Sequence, residues 1–300
     1  MSTQGANVGA LRRHLVETSL GTIHLRTCGA DLGPAGKPPL VLLHMSPQSS
    51  EQHARIAPLL ASDRLVVMPD RIGFGDSDPL PDRPFTVEEV ARATLEAVTA
   101  LGVGEFDLFG IHTGSSEAIE LAAATAPERV RRVAIVALPA FSAEEVEQFR
   151  GLFKPPPPPA DDGRLLRWLW RFSTGPFTPP LDREGWGVDG VHALVVRHLK
   201  AWPNAWRMFH AVFDYDVAAR AARVRQPLLV LAPGDELLEI TRRSLALLGP
   251  QARVLELPHL DFEVLTLNAE EIAGHLRAFL DAADPAATPA VGSPVTPAAS

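Results

Sequence analysis

Any chemistry in this chain starts from Gly110-Ile111-His112-Thr113-Gly114. The run Phe106-Asp107-Leu108-Phe109 leads into it, and Ser116-Glu117-Ala118-Ile119-Glu120-Leu121-Ala122 leaves it with the composition of a helix. A buried strand that turns sharply into a helix needs small residues two before and two after its apex. Gly110 and Gly114 fill those places, which puts His112 at the apex. An imidazole there carries a lone pair near neutral pH and needs no activating base. It can attack an acyl group, take a proton from a bound water, or give one to a substrate oxygen. Thr113 or Ser115 as apex would need small residues where Ile111 and Ser115, or Thr113 and Glu117, stand, so neither frame fits the turn.

Partners for His112 follow later in the chain. Gly234-Asp235-Glu236 ends one apolar run, and Pro258-His259 ends the last. His259 would be a second base, oriented by Asp235 or Glu236. Asp235 is favoured because it directly follows Gly234 and its shorter side chain holds an imidazole more rigidly. Two imidazoles at one site would split their pKa values, since two imidazolium ions repel, and would make an acid/base pair. A metal held by His112, His259 and a carboxylate is chemically open, but the spacing matches no local metal motif. The inert alternative is a His112 packed in the relic of a lost site.

The elements that must position these groups alternate. Leu40–Leu43 is a continuous apolar run, as expected of a strand buried on both faces, and Arg64–Met68, the run before His112, Val130–Leu138, Pro227–Ala232 and Ala252–Leu257 read as further strands. Helices are expected from about Ser50 to Leu60, from Thr86 to Leu101, from Ile240 to Leu248, and from Asn268 to about Ala283. Thr86 with Glu89, and Asn268 with Glu271, have capping-box spacing. The alternation predicts a parallel sheet covered on both faces. His14–Thr18 and Thr22–Arg26 read as a hairpin through Gly21. The Gly-rich stretch from Asp70 to Asp78 lacks a following Gly-Lys-Ser/Thr and reads as a structural turn rather than a phosphate cradle.

Ser142 to Val224 breaks the alternation. It holds the proline run 155–159, all five tryptophans, and helical stretches at Leu165–Phe172 and Val191–Phe213, the latter interrupted at Pro203. It reads as a helical insertion over the sheet's C-terminal edge, where α/β sheets bind ligands. Most of the tryptophans are expected to fill the insertion's own core. Trp202 and Trp206, with Met45, are the candidate substrate contacts.

The whole chain sets bounds on the function. A net charge of −8 without a Lys/Arg cluster argues against a nucleic-acid surface. The single cysteine, Cys28, excludes an intrachain disulfide framework and Cys-rich metal sites, and fits a reducing compartment. No secretory leader shows in Met1 to Ala10, and no apolar run reaches membrane-spanning length. The expectation is a cytoplasmic protein that acts on a small molecule, with no cofactor, no metal, and no nucleic-acid or membrane partner. Residues 1–9 and 284–300 are expected to be disordered.

Four landmarks, in order and on these strands, resemble the α/β-hydrolase fold superfamily. His44-Met45-Ser46-Pro47 looks like its His-Gly-x-Pro loop. Asp70-x-x-Gly73-x-Gly75-x-Ser77 looks like its Asp-x-x-Gly-x-Gly-x-Ser turn. Gly110-x-His112-x-Gly114 sits where the nucleophile elbow Gly-x-Ser-x-Gly belongs, and Asp235 or Glu236, then His259, follow in the order acid, histidine. The resemblance implies an α/β fold with a mostly parallel sheet flanked by helices, a core of residues 10–141 and 225–283, and a helical cap of residues 142–224. It implies an oxyanion hole from the backbone N–H groups of Ser46 and Thr113. It implies a hydrolase for a small carbonyl- or ester-containing substrate, with a lyase or isomerase, or a non-catalytic binding relative, as alternatives. His44 matches the family's loop, and His53 is expected at the surface. Two departures stand out: Met45 replaces the loop glycine, and His112 replaces the nucleophile.

Overall fold

The strands of the sheet follow the apolar runs closely. In the computed structural model, residues 11–29, 36–175, 178–180, 182–202, 204–261 and 263–283 are described; the expectation for 1–9 and 284–300 lies outside them. The strands are β1 (Arg12–Thr18), β2 (Gly21–Cys28), β3 (Leu40–Leu43), β4 (Val66–Pro69), β5 (Phe106–Ile111), β6 (Val130–Val136), β7 (Leu228–Pro233) and β8 (Ala252–Leu257). They lie in the order β1-β2-β4-β3-β5-β6-β7-β8. The hairpin β1–β2 and the pair β2–β4 are antiparallel, and every later pair is parallel.

Period-two burial explains why these runs are apolar throughout. In β3, Val41 and Leu43 pack into one core layer, and Leu40 and Leu42 into the other. β7 repeats this, with Leu228 and Val230 on one side and Leu229 and Leu231 on the other. Helices α1 (Ile56–Leu60) and α11 (Ala269–Leu280) cover one face; α2 (Val87–Ala100) and α3 (Thr113–Glu120) cover the other. β4 and β5 leave β3 on opposite sides. That makes the C-terminal ends of β3 and β5 the switch point where an open α/β sheet leaves a crevice.

Between β6 and β7 lie α4 (Ala143–Leu152), α5 (Arg164–Ser173), α6 (Gly187–Ala201), α7 (Ala205–Asp214) and α8 (Val217–Ala221). After β7 come α9 (Leu238–Ser244) and α10 (Val264–Leu267), the latter just ahead of α11. α4 was not apparent in the sequence, although Ser142 and Glu145 close a capping box at its start. The helix expected from Ser50 to Leu60 is instead a short 3₁₀ turn at Ser50–His53 followed by α1. Thr86 and Glu89 form the expected capping box on α2. Asn268 and Glu271 do not: Asn268 makes no side-chain cap bond, and Glu271 is taken by His259. No helix among the described residues is long and apolar enough to cross a membrane.

Candidate active site

Two glycines make the elbow. A Cβ on Gly110 would lie 2.3 Å from the carbonyl oxygen of Gly114, and one on Gly114 would lie 2.3 Å from that of Leu43. Backbone cannot yield to such contacts, so both positions require glycine. His112 takes φ 51° and ψ −110°, a left-handed strain that a side chain carries only where surrounding structure enforces it. Its N–H donates to Val136 O at 3.0 Å, and Ser115 N–H closes the turn on His112 O at 2.9 Å.

His112 Nε2 lies 2.9 Å from Asp235 Oδ2. A carboxylate only accepts, so Nε2 carries the proton and the basic lone pair of the neutral ring is on Nδ1. Asp235 Oδ1 accepts from Leu237 N–H at 2.9 Å, which fixes the acid at the end of β7. Burial disfavours the imidazolium, but the charge and hydrogen bond of Asp235, with Glu236 and Glu263, outweigh it and raise the His112 pKa above its ordinary 6.5. Burial pushes the carboxyls of Glu236 and Glu263 upward as well.

His259 does not join this site. β8 ends at Leu257 and turns at once: Leu260 N–H donates to Leu257 O, Gly234 N–H donates to Leu260 O, and Leu260 is buried. His259 is left on the outer corner, with its side chain 59% exposed and its Nε2 2.9 Å from Glu271 Oε1. The pair of imidazoles is therefore not assembled, nor is a metal set of His112, His259 and a carboxylate. Among the described residues one His/acid cluster has metal-binding spacing, His24 with Asp70 and Asp76. Its groups already have structural partners. Asp70 accepts from Ser50 N–H, Asp76 N–H and His24 Nδ1, and Asp76 pairs with Lys200. A Cβ on Gly75 would lie 2.2 Å from Asp70 Oδ2, so the Gly-rich stretch is a turn wrapped around that carboxylate.

The expected oxyanion donors are differently placed. Thr113 opens α3, where its N–H has no intrahelical acceptor. Ser46 N–H donates to Thr113 Oγ1 at 2.7 Å, and the Thr113 hydroxyl donates to Ser46 Oγ at 3.2 Å. A substrate oxygen would have to displace the Thr113 hydroxyl to reach Ser46 N–H. Met45 lines the cavity, and its own N–H donates to Gln52 Oε1.

Behind the elbow lies a buried ion pair that the sequence did not suggest. Arg71 Nε donates to Glu117 Oε2 at 2.8 Å; its other nitrogens donate to Ser46 Oγ and to His44 O. Thr94 donates to the second Glu117 oxygen at 2.6 Å. His44 is neutral: burial and the nearby Arg71 push it down to about 3. Its Nδ1–H donates to Met45 O, and its Nε2 accepts from Arg71 N–H. Removing one partner of a buried pair leaves an uncompensated charge, so Glu117→Ala should cost about 3–5 kcal/mol. Urea unfolding would read this as a lowered midpoint at unchanged slope. A loss below about 1 kcal/mol would show that Arg71 is satisfied without Glu117. His53, expected at the surface, is fully buried beside Phe109, and burial pushes its pKa down to about 3.

His112 opens onto a cavity of about 460 Å³. The helical insertion and its flanks contribute a ring of phenylalanines: Phe141, Phe149, Phe153, Phe172, Phe209 and Phe213. Trp202 and Trp206 are not in its wall. Trp202 is buried, stacked on Trp168 and tilted against Phe172, and Trp206 packs edge-on against His210. Among the described residues, four ionisable side chains line the cavity: His112, Glu236, His198 and Arg171.

Residues 38–155 match the α/β hydrolase fold family. A pyrrolizixenacetamide deacetylase of Xenorhabdus hominickii is 32% identical over 205 residues, which are 65% of this chain and 72% of that protein. The chain belongs to the α/β-hydrolase fold family. A fluoroacetate dehalogenase of Burkholderia sp is 28% identical over 214 residues, 65% of this chain and 64% of that enzyme's length. In overall shape this α/β hydrolase is similar to the crystal structure of a hydrolase from Pseudomonas aeruginosa PA01. The TM-score is 0.72 at 23% identity, covering 93% of this chain and all of the other. The strained elbow, the acid after β7 and the turn around Asp70 lie where the sequence landmarks placed them, and His259 does not join them.

Proposed function

We propose that this protein is a cofactor-free hydrolase of small ester or amide substrates in which His112, gripped by Asp235, is the general base. The observation that carries this reading is the His112–Asp235 contact at a strained apex facing an aromatic cavity. A relative named as a deacetylase supports an acyl substrate. Asp235 holds the ring with its proton on Nε2 and stabilises the imidazolium that forms when Nδ1 takes a proton from water. The water oxygen then bonds to the substrate carbonyl carbon. The charge that develops on the carbonyl oxygen would be met by Thr113 N–H, and by Ser46 N–H once the Thr113 hydroxyl turns aside. The helical insertion acts as a cap whose phenylalanines bind an apolar acyl or alcohol group and exclude bulk water.

Steady-state hydrolysis of 4-nitrophenyl esters of increasing acyl length tests this reading. Catalysed release of 4-nitrophenol is expected. Tight binding of the esters without turnover would contradict it. In the same assay His259→Ala should change kcat/KM by about two-fold or less, as for a surface substitution. A loss of about 10²-fold would return His259 to the mechanism as a general base.

A further inference from the structure

A single imidazole paired with a carboxylate takes a proton from water more readily than it returns one. Against burial, Asp235 favours the charged ring by its charge and its hydrogen bond. After the water has attacked, an alkoxide leaving group must take a proton as it departs, and a second acid facing the cavity can supply it while the imidazolium stays paired with Asp235. Of the other ionisable side chains in the cavity wall, Arg171 holds its proton permanently. His198 is neutral, bonded to Ser173 Oγ at 2.8 Å and pushed down to about 3 by burial and Arg197. Glu236 remains. The Leu237 N–H to Asp235 Oδ1 bond shapes the turn after β7 so that neighbouring acids divide: Asp235 grips the ring, and Glu236 faces the cavity. Among the described residues the Glu236 carboxyl has no side-chain hydrogen-bond partner; it accepts from its own backbone N–H.

We infer that Glu236 is the general acid that protonates the leaving group in the reaction proposed above. The inference rests on that hydrolase reading. When the tetrahedral intermediate collapses, the bond from the carbonyl carbon to the leaving oxygen or nitrogen breaks. Its electron pair stays with the leaving atom, which takes the proton of the Glu236 carboxyl. The proton held on His112 then passes to the Glu236 carboxylate through solvent, restoring both groups; the net reaction adds one water across the acyl bond. Burial, the largest influence, raises the Glu236 pKa; His112 opposes this, and Asp235 adds to it.

The test is the dependence of kcat/KM on the leaving group for Glu236→Gln, which keeps the side-chain shape but has no acidic proton. The substrates are the acetate esters of 4-nitrophenol, phenol, trifluoroethanol and ethanol. A general acid matters little for 4-nitrophenolate and greatly for ethoxide. The loss should therefore grow along the series, from a few-fold to about 10²-fold. The same factor across all four esters would mean that Glu236 acts through the fold or the field, and would overturn the role while leaving the hydrolase reading intact. No loss on any ester would do the same. Wild-type protein inert to all four would overturn the hydrolase reading and this role with it.

Discussion

Replacing His112 with alanine should lower kcat/KM for 4-nitrophenyl acetate by about 10²- to 10⁴-fold, the range for loss of a general base. The elbow does not depend on the apex side chain, because close contacts at Gly110 and Gly114 set the turn. Asp235 keeps Leu237 N–H as a donor, so it is not left wholly without a partner. The variant should fold, as a preserved thermal transition would show. A folded His112→Ala protein within about three-fold of wild type would remove the imidazole from the mechanism, since even the weakest general-base effect exceeds that.

The second large effect is a negative one. His112→Ser restores Gly-x-Ser-x-Gly, and with His259 as its base that would make a working serine site. The structure predicts otherwise. A serine is activated by an imidazole within hydrogen-bond reach of its hydroxyl. His259 is held by Glu271 on the outer corner of the turn after β8. The new hydroxyl would face Asp235 with no base between them. The variant should lose activity as completely as His112→Ala and resist serine-directed phosphonates. Stoichiometric phosphonylation of Ser at position 112 would show that a base does reach the apex.

The same case shows how far the sequence could be read. The sheet was visible because strands buried on both faces must be apolar throughout, and β3 and β7 obey that residue by residue. The elbow was visible because two close backbone approaches demand glycine at fixed spacing. Asp235 could be chosen over Glu236 as the orienting acid from its place directly after Gly234, though its partner turned out to be His112 instead of His259. His259 was misplaced because its direction depends on a four-residue turn closed by the burial of Leu260, a tertiary contact with no local signature. The two capping-box patterns differ for a similar reason: Thr86 N–H donates to Glu89, whereas Asn268 N–H is already given to Val264 O of α10. Arg71 and Glu117 lie 46 residues apart, so nothing in the spacing pairs them. The phenylalanine ring did leave a signal, because Phe149 with Phe153 and Phe209 with Phe213 repeat at i, i+4; the tryptophans drew attention away from it.

The most direct measurement is the pH dependence of kcat/KM for 4-nitrophenyl acetate in wild type and Asp235→Asn. This leaving group needs no acid, so the profile reports the base alone. The wild-type rate should rise with pH through a single limb above 6.5, because the base works only when deprotonated and its carboxylates hold the proton on. Asp235→Asn removes the largest of those carboxylate influences and leaves burial, so the limb should move to lower pH while the plateau falls sharply with the misoriented ring. A limb and plateau unchanged by Asp235→Asn would contradict the account, since His112 would then work without its partner or not at all.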